Sequence, residues 1–316
     1  MTQEIPVFFS IDDNYAPLLA VALRSAVAHA DPARRYRAIV LHQGLDAAHQ
    51  QKIQALETEN FRVDFRSLEK GLESINDCMG NRLRCDYFTL TIYFRLFIPT
   101  LFPEYDKGVY VDSDVVFTED VAQLYDMELG EALLGACPDL SISGVPELVR
   151  YTEQAVGADP GGYVNSGMLL MNLKKLREAG FEERFLHLLN TYHLDTIAPD
   201  QDYINAMCKG HMRYLPAEWD AMPGPGEPLA HPCLIHYNLF SKPWCYDGIQ
   251  YGDVFWHYAA ESGYEDELRA FKAAYSDEQK RSDAECMERL VTRGVEITRS
   301  DKTFRKLAES GVAVRL

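Results

Sequence analysis

The sequence predicts an α/β fold whose N-terminal half is doubly wound and nucleotide-binding, from three observations. Ile5-Pro-Val-Phe-Phe-Ser-Ile11 is a short apolar run of the kind a parallel strand buried on both faces requires. Leu18, Leu19, Ala22, Leu23, Ala26 and Val27 then recur at helical spacing over 15–30, ending before Asp31-Pro32. The alternation continues with a strand at 37–41, a helix at 46–59 and a strand at 61–65. In such folds ligands bind at the carboxyl ends of strands, and Asp12, Asp13 and Asn14 stand at one. Neither G-x-G-x-x-G nor G-x-x-x-x-G-K-[ST] occurs, so neither a dehydrogenase-type dinucleotide fold nor a P-loop is supported.

Composition narrows the partners. The chain has 316 residues, of which 47% are hydrophobic, enough for one large core or two ordinary ones. A formal charge of −17 repels phosphate backbones and argues against nucleic acid as a partner. Any anionic substrate must be received locally, by a metal or a few cations. The seven cysteines are scattered and never spaced C-x-x-C, which points to reduced thiols in a cytoplasm. Neither a secretion signal nor an 18-residue apolar span is visible.

Further along, Leu90 to Ile98 is expected to be a buried helix stopped by Pro99, with Arg95 inside it in need of an anion or carbonyl acceptors. The next apolar run, Gly108-Val-Tyr-Val-Asp-Ser-Asp-Val-Val-Phe117, carries two acids one residue apart. Side chains at i and i+2 of a strand share a face, so Asp112 and Asp114 converge on one ligand if the strand ends between them. Carboxylates there suit Mn²⁺ or Mg²⁺, and a turn in which the same acids cap backbone amides is the alternative. Leu133-Leu-Gly-Ala-Cys-Pro-Asp139 reads as a strand leading to an acid, with Asp139 as a turn residue the plain alternative.

Tyr163-Val-Asn-Ser-Gly167 places Asn165 at the mouth of a strand, where its amide offers a donor and an acceptor to a hydroxylated ligand. A helix is expected over 181–192. Asp200-Gln-Asp202 opens another at 203–208, where acids are ordinary first-turn residues. Residues 216–232, with Pro223-Gly-Pro-Gly226, read as a loop. A short strand then delivers His236, which alone is a structural histidine but beside two distant carboxylates becomes a third metal ligand. Beyond Asp253 the chain is helical and ends in a mildly basic tail, read as solvated helix faces with peripheral contact to an anionic membrane as the minority alternative.

Taken in order, Ile11-Asp-Asp-Asn-Tyr15, Tyr93-Phe-Arg95, Tyr110-Val-Asp-Ser-Asp114, Val164-Asn-Ser-Gly167, Asp200-Gln-Asp202 and His236 with Lys242-Pro-Trp244 resemble glycosyltransferase family 8. These are retaining enzymes that include bacterial lipopolysaccharide galactosyl- and glucosyltransferases, and the likeness covers about residues 5 to 250. It implies a GT-A fold, a Rossmann-like mixed sheet flanked by helices, with residues 1–250 catalytic. Residues 251–316 would form a helical extension for acceptor or membrane-surface contact, in the cytoplasm or at the inner membrane surface.

The implied donor is UDP-glucose or UDP-galactose and the acceptor a glycan or glycolipid. Asp112, Asp114 and His236 would hold Mn²⁺, or Mg²⁺ in its place. Asp12, Asn14 and Tyr15 would meet the uridine, with the Tyr15 ring on uracil. Ser113 would also bind donor, Arg95 and Asp139 would lie near the sugars, and Asn165, Asp200 and Gln201 around the transferred hexose. Lys242 would hold the diphosphate. One departure is Asn238-Leu-Phe240, where those enzymes carry small residues suited to backbone contacts with phosphate.

Retention then comes from front-face displacement, with Gln201 the back-face resident, or from double displacement with Asp200 or Asp202 attacking. Two other activities compete. Tyr110-Val-Asp-Ser-Asp-Val115 also resembles the first motif of haloacid-dehalogenase-type phosphatases, and a non-enzymatic sugar-nucleotide-binding protein would need no complete metal site.

Overall fold

The computed structural model describes residues 4–68 and 90–316, so the Cys78 and Cys85 thiols expected to be reduced lie outside the described residues. Nine strands are found there: β1 Glu4–Ile11, β2 Arg35–His42, β3 Phe61–Ser67, β4 Gly108–Val111, β5 Val115–Phe117, β6 Leu134–Ala136, β7 Met168–Met171, β8 Met212–Tyr214 and β9 Leu234–His236. Seven form one sheet in the order β3-β2-β1-β4-β7-β6-β8, and β5 pairs with β9 in a second. β3, β2, β1 and β4 run parallel, whereas β7 is antiparallel to both β4 and β6. The strand order therefore reverses between β1 and β4, and a crevice opens at their carboxyl ends.

Alternation along β1 explains the layering. Val7 and Phe9 face a core shared with the helix Ala16–His29, while Phe8 faces a second core built on the helices Phe94–Leu101, Phe181–Tyr192 and Pro199–Met207. Residues 251–316 add the helices Gly252–Glu261, Glu265–Ala274, Asp277–Ile297 and Phe304–Glu309. Phe255, Tyr258 and Leu268 join the first core; Leu290, Ile297 and Phe304 join the second. Gly294 lets the long helix close on Leu148, whose Cδ2 would stand 3.1 Å from a Cβ at that position. Several tail cations are paired locally: Arg293 with Asp195, Arg305 with Glu309 and Lys306 with Asp301. No helix among the described residues is long and apolar enough to cross a membrane.

Five expectations are corrected. Pro99 lies inside its helix, which runs to Leu101, because a proline removes only its own N–H and Phe102 N still reaches Ile98 O at 3.1 Å. The helix expected to reach Glu59 ends at Gln54, its exit taken up by a turn in which Thr58 Oγ1 accepts from Phe61 N. The strand after Leu133 stops at Ala136, short of Asp139. The helix placed at 203–208 starts at Pro199, since proline suits the first helical turn. The supposed loop 216–232 holds a 3-10 turn, Ala217–Asp220, and Ala221 bridges to Ile235 as an added strand residue.

Candidate active site

The apolar run 108–117 breaks where its acids begin. β4 ends at Val111 in the large sheet and β5 resumes at Val115 in the small one, so Asp112, Ser113 and Asp114 form the bend between sheets. Asp112 N donates to Gly167 O at 2.7 Å, which ties the bend to the entry of β7. The antiparallel β5–β9 ladder sets Val115 opposite His236. One ligand atom from each of Asp112, Asp114 and His236 lies within 4.8 Å of the others, so the geometry can hold a metal ion.

Two further features fit that donor set. A Cβ at Gly167 would collide with His236 Cε1 and come within 2.6 Å of Asp112 Oδ2, so glycine keeps the cradle clear. Two carboxylates and an imidazole are also a donor set suited to a divalent metal ion.

Cations and hydroxyls surround the acids. Lys242 Nζ donates to Asp114 Oδ2 at 2.6 Å and to Tyr237 O at 3.1 Å. Burial raises the Asp114 pKa, but Lys242 and His236 outweigh it and hold the carboxyl well below its usual range. Burial opposes the Lys242 charge, yet Asp114 brings it to about 12. Likewise burial opposes the His236 imidazolium, but the Asp114 and Asp220 carboxylates raise it to about 10. Asp114 thus has two cationic side chains set against its one charge.

Arg95 is the hub on the other side. Its guanidinium reaches Asp112 Oδ1 at 2.9 Å, Asp200 Oδ2 at 3.1 Å and Ser166 O at 2.7 Å, and lies 4.4 Å from the centre of the Tyr110 ring. Both readings of this buried arginine therefore hold, since it has anionic partners and a carbonyl. Burial works against its charge, and Asp112, Tyr110 and Asp200 reverse the effect. Ser166 Oγ donates to Asp200 Oδ2 at 2.9 Å. Gln201 Oε1 accepts from Ser166 N at 3.0 Å, and Gln201 Nε2 donates to Asp139 Oδ2 at 2.8 Å. Asn165 Nδ2 reaches the same Asp139 oxygen at 3.1 Å.

Asp139 also caps the short helix Leu140–Ser143 through Ser141 N and Ile142 N. Its turn role and its place in the site thus coexist.

The structure accordingly gathers Arg95, Asp112, Asp114, Asp139, Asn165, Asp200, Gln201, His236 and Lys242 into one group. Asp12 and Asn14 stand at the same strand edge but share no hydrogen bond with it; Asp12 Oδ1 caps the turn by accepting from Asn14 N at 3.0 Å. Tyr15 is half-buried and close enough for its phenol to act on Lys242. Ser113 is buried in the bend. Asp202 belongs elsewhere: it is fully buried and accepts from the Tyr151 and Tyr163 hydroxyls, each at 2.6 Å, and from Ile197 N and Ala198 N, each at 3.1 Å. As a clamp on the start of its own helix it has no oxygen left for attack on a substrate.

The residue that sequence reasoning missed is Asp220, fully buried at the end of the 3-10 turn, with Oδ1 2.9 Å from His236 Nδ1. Its signal was indirect: a metal-binding histidine usually donates its second ring N–H to a carboxylate or carbonyl.

Comparison with known proteins gives concordant results. A family profile described as "Glycosyl transferase family 8" matches residues 6–248. A "Putative glycosyltransferase" of Haemophilus influenzae is 25% identical over 215 residues, covering 68% of this chain and 62% of the relative, so the match spans under two thirds of that protein's length. "Lipopolysaccharide 1,2-glucosyltransferase" of Escherichia coli is 27% identical over 258 residues, covering 75% of this chain and 72% of the relative. Among solved structures, the galactosyltransferase LgtC in complex with donor and acceptor sugar analogs superposes with a TM-score of 0.67 at 26% identity, covering 81% of this chain and 96% of that one.

Proposed function

Since the chain belongs to glycosyltransferase family 8 and has the GT-A fold, we propose that it transfers glucose or galactose from the UDP-sugar to a glycan or glycolipid acceptor with retention of configuration, assisted by Mn²⁺. The observation that carries this reading is the meeting of Asp112, Asp114 and His236 beside Lys242 at the reversal of strand order. A divalent ion in that cradle would supply the positive charge a departing diphosphate needs.

In this reading Lys242 is the mobile cation. It moves from Asp114 to the diphosphate, and the segment 237–248 follows it to exclude water from the sugar bond. Tyr15, closing the 3-10 turn after β1, stacks on uracil, with Asp12 and Asn14 as polar contacts to the uridine and Ser113 as a further donor contact. Asp139, Asn165, Asp200 and Gln201 hold the hexose hydroxyls, their mutual hydrogen bonds fixing them before the donor arrives. Residues 1–250 carry the chemistry, and the helices after 251 buttress it and line the acceptor side.

The disposition of possible nucleophiles favours front-face displacement, in which the departing phosphate oxygen takes the acceptor proton. Gln201 has its carbonyl on Ser166 N and its amide on Asp139, Asp202 is locked in its helix start, and Asp200 Oδ2 is engaged by Arg95 and Ser166. A phosphatase of the haloacid-dehalogenase type would leave His236, Lys242 and the strand end at Asp12 to Tyr15 without a role, although His236 and Lys242 both meet Asp114.

The test is incubation with UDP-glucose or UDP-galactose, Mn²⁺ and a glycan array. Slow UDP release without acceptor and transfer from one donor with it are expected, and NMR of the product should show an α-linkage. A β-linked product, or loss of neither activity with EDTA, would overturn the proposal.

A further inference from the structure

Asp220 is a costly residue for a fold to keep. It is 1% exposed, and its Oδ2 has no hydrogen-bond partner among the described residues. Asp112 and Asp139 are close enough to add repulsion.

The backbone next to it is tied down without its side chain. His236 N donates to Ala221 O and Ala221 N to Leu234 O, each at 2.9 Å, so the added strand residue is already tied to β9 on both sides. What the side chain adds is one contact, Oδ1 to His236 Nδ1 at 2.9 Å. A carboxylate can only accept, so this contact keeps a proton on Nδ1, and Nε2 is the nitrogen that would give up its proton to ligate a metal. His236 Nε2 indeed points to the acids, 3.4 Å from Asp114 Oδ1.

We propose that Asp220 is the positioning residue of the metal centre, fixing the tautomer and ring plane of His236 so that Nε2 completes the Asp112 and Asp114 set. The inference rests on the metal-dependent reading above. It also accounts for the unpartnered Oδ2, because the side chain is retained for the one bond to the imidazole.

Asp220→Asn and Asp220→Ala separate position from charge. Both remove the carboxylate and its effect on imidazole basicity, but only asparagine keeps an acceptor for Nδ1–H. The probe is Mn²⁺ alone, titrated into each protein and followed by the EPR signal of the free ion. Asp220→Asn should bind within about threefold of the native protein, and Asp220→Ala about 10- to 100-fold more weakly. On a His236→Ala background the two should bind alike. Asp220→Leu, close to aspartate in shape and without an acceptor, replaces the alanine variant if that does not fold. Equal affinity of the asparagine variant and the acceptor-less one, or a difference between them that persists without His236, would overturn the role of Asp220. Failure of the native protein to bind Mn²⁺ would instead overturn the metal centre itself, and the inference with it.

Discussion

Replacing Lys242 by methionine removes the cation that neutralises Asp114 while keeping most of the aliphatic stem. At 2.6 Å the pair is worth a gross Coulomb energy of about 6 kcal/mol at an effective dielectric near 20. Asp114 is freed only partly to water, its side chain being 13% exposed, so the net loss should resemble that of other broken buried pairs, about 3 kcal/mol. The metal-free variant should therefore have an unfolding free energy, measured in urea, lower by that amount.

An ion bound at Asp114 does part of the same neutralising work, so saturating Mn²⁺ should restore a little under half of the loss, about 1.4 kcal/mol. Without nucleotide, Mn²⁺ should bind the variant about tenfold more tightly than the native protein, because no lysine has to be displaced. UDP should do the reverse and bind the variant more weakly. Hydrogen exchange of residues 237–248 should show native protection by UDP plus Mn²⁺ exceeding that by either alone, and the variant should lose this synergy. Calorimetry and exchange measure these outcomes. Weaker Mn²⁺ binding by the variant without nucleotide, or protection by UDP alone equal to that with Mn²⁺, would refute the account of Lys242 as a cation that exchanges one partner for another.

Asp112→Asn, Asp114→Asn and His236→Ala should each lower turnover at least about 100-fold by deleting a ligand. The fold should survive, since Arg95 keeps Asp200 and Ser166; circular dichroism and product assays read the two separately, and near-native turnover of any of them would count against the metal centre. Asp202→Asn tests the buried clamp through pH. Burial raises this carboxyl to about 6 despite its four hydrogen bonds, so the stabilising proton-bound form is fully present below the unfolded pKa and is lost as pH rises through 6. That shift corresponds to about 3 kcal/mol. Asparagine can accept from Tyr151, Ile197 and Ala198 and donate to the Tyr163 hydroxyl, so urea unfolding of the variant should lack this loss between pH 4 and 7. Parallel stability curves for the two proteins would contradict it.

What could be read directly from the sequence is what neighbours along the chain encode. The spacing of apolar residues located the N-terminal strands and helices, and two acids separated by one residue in an apolar run marked the candidate metal cradle, because burying them without a use is expensive. Arg95 stood out for the same reason. The order of motifs carried the family resemblance.

Only the tertiary structure decided the rest. Whether Asp112 and Asp114 shared a strand or a bend depended on β5 leaving the large sheet to pair with β9, a choice made by a partner far along the chain. Lys242 meets Asp114 across 128 residues, and Asp220 reaches His236 from a Pro/Gly-rich segment that carries no strand periodicity. Asp202 looked like its neighbours Asp200 and Gln201, yet the turn of a helix points it away from them into two tyrosines. Helical geometry separates adjacent side chains by about 100°, but which of them faces the crevice is fixed by the packing of that helix against the sheet, and no local pattern contains it.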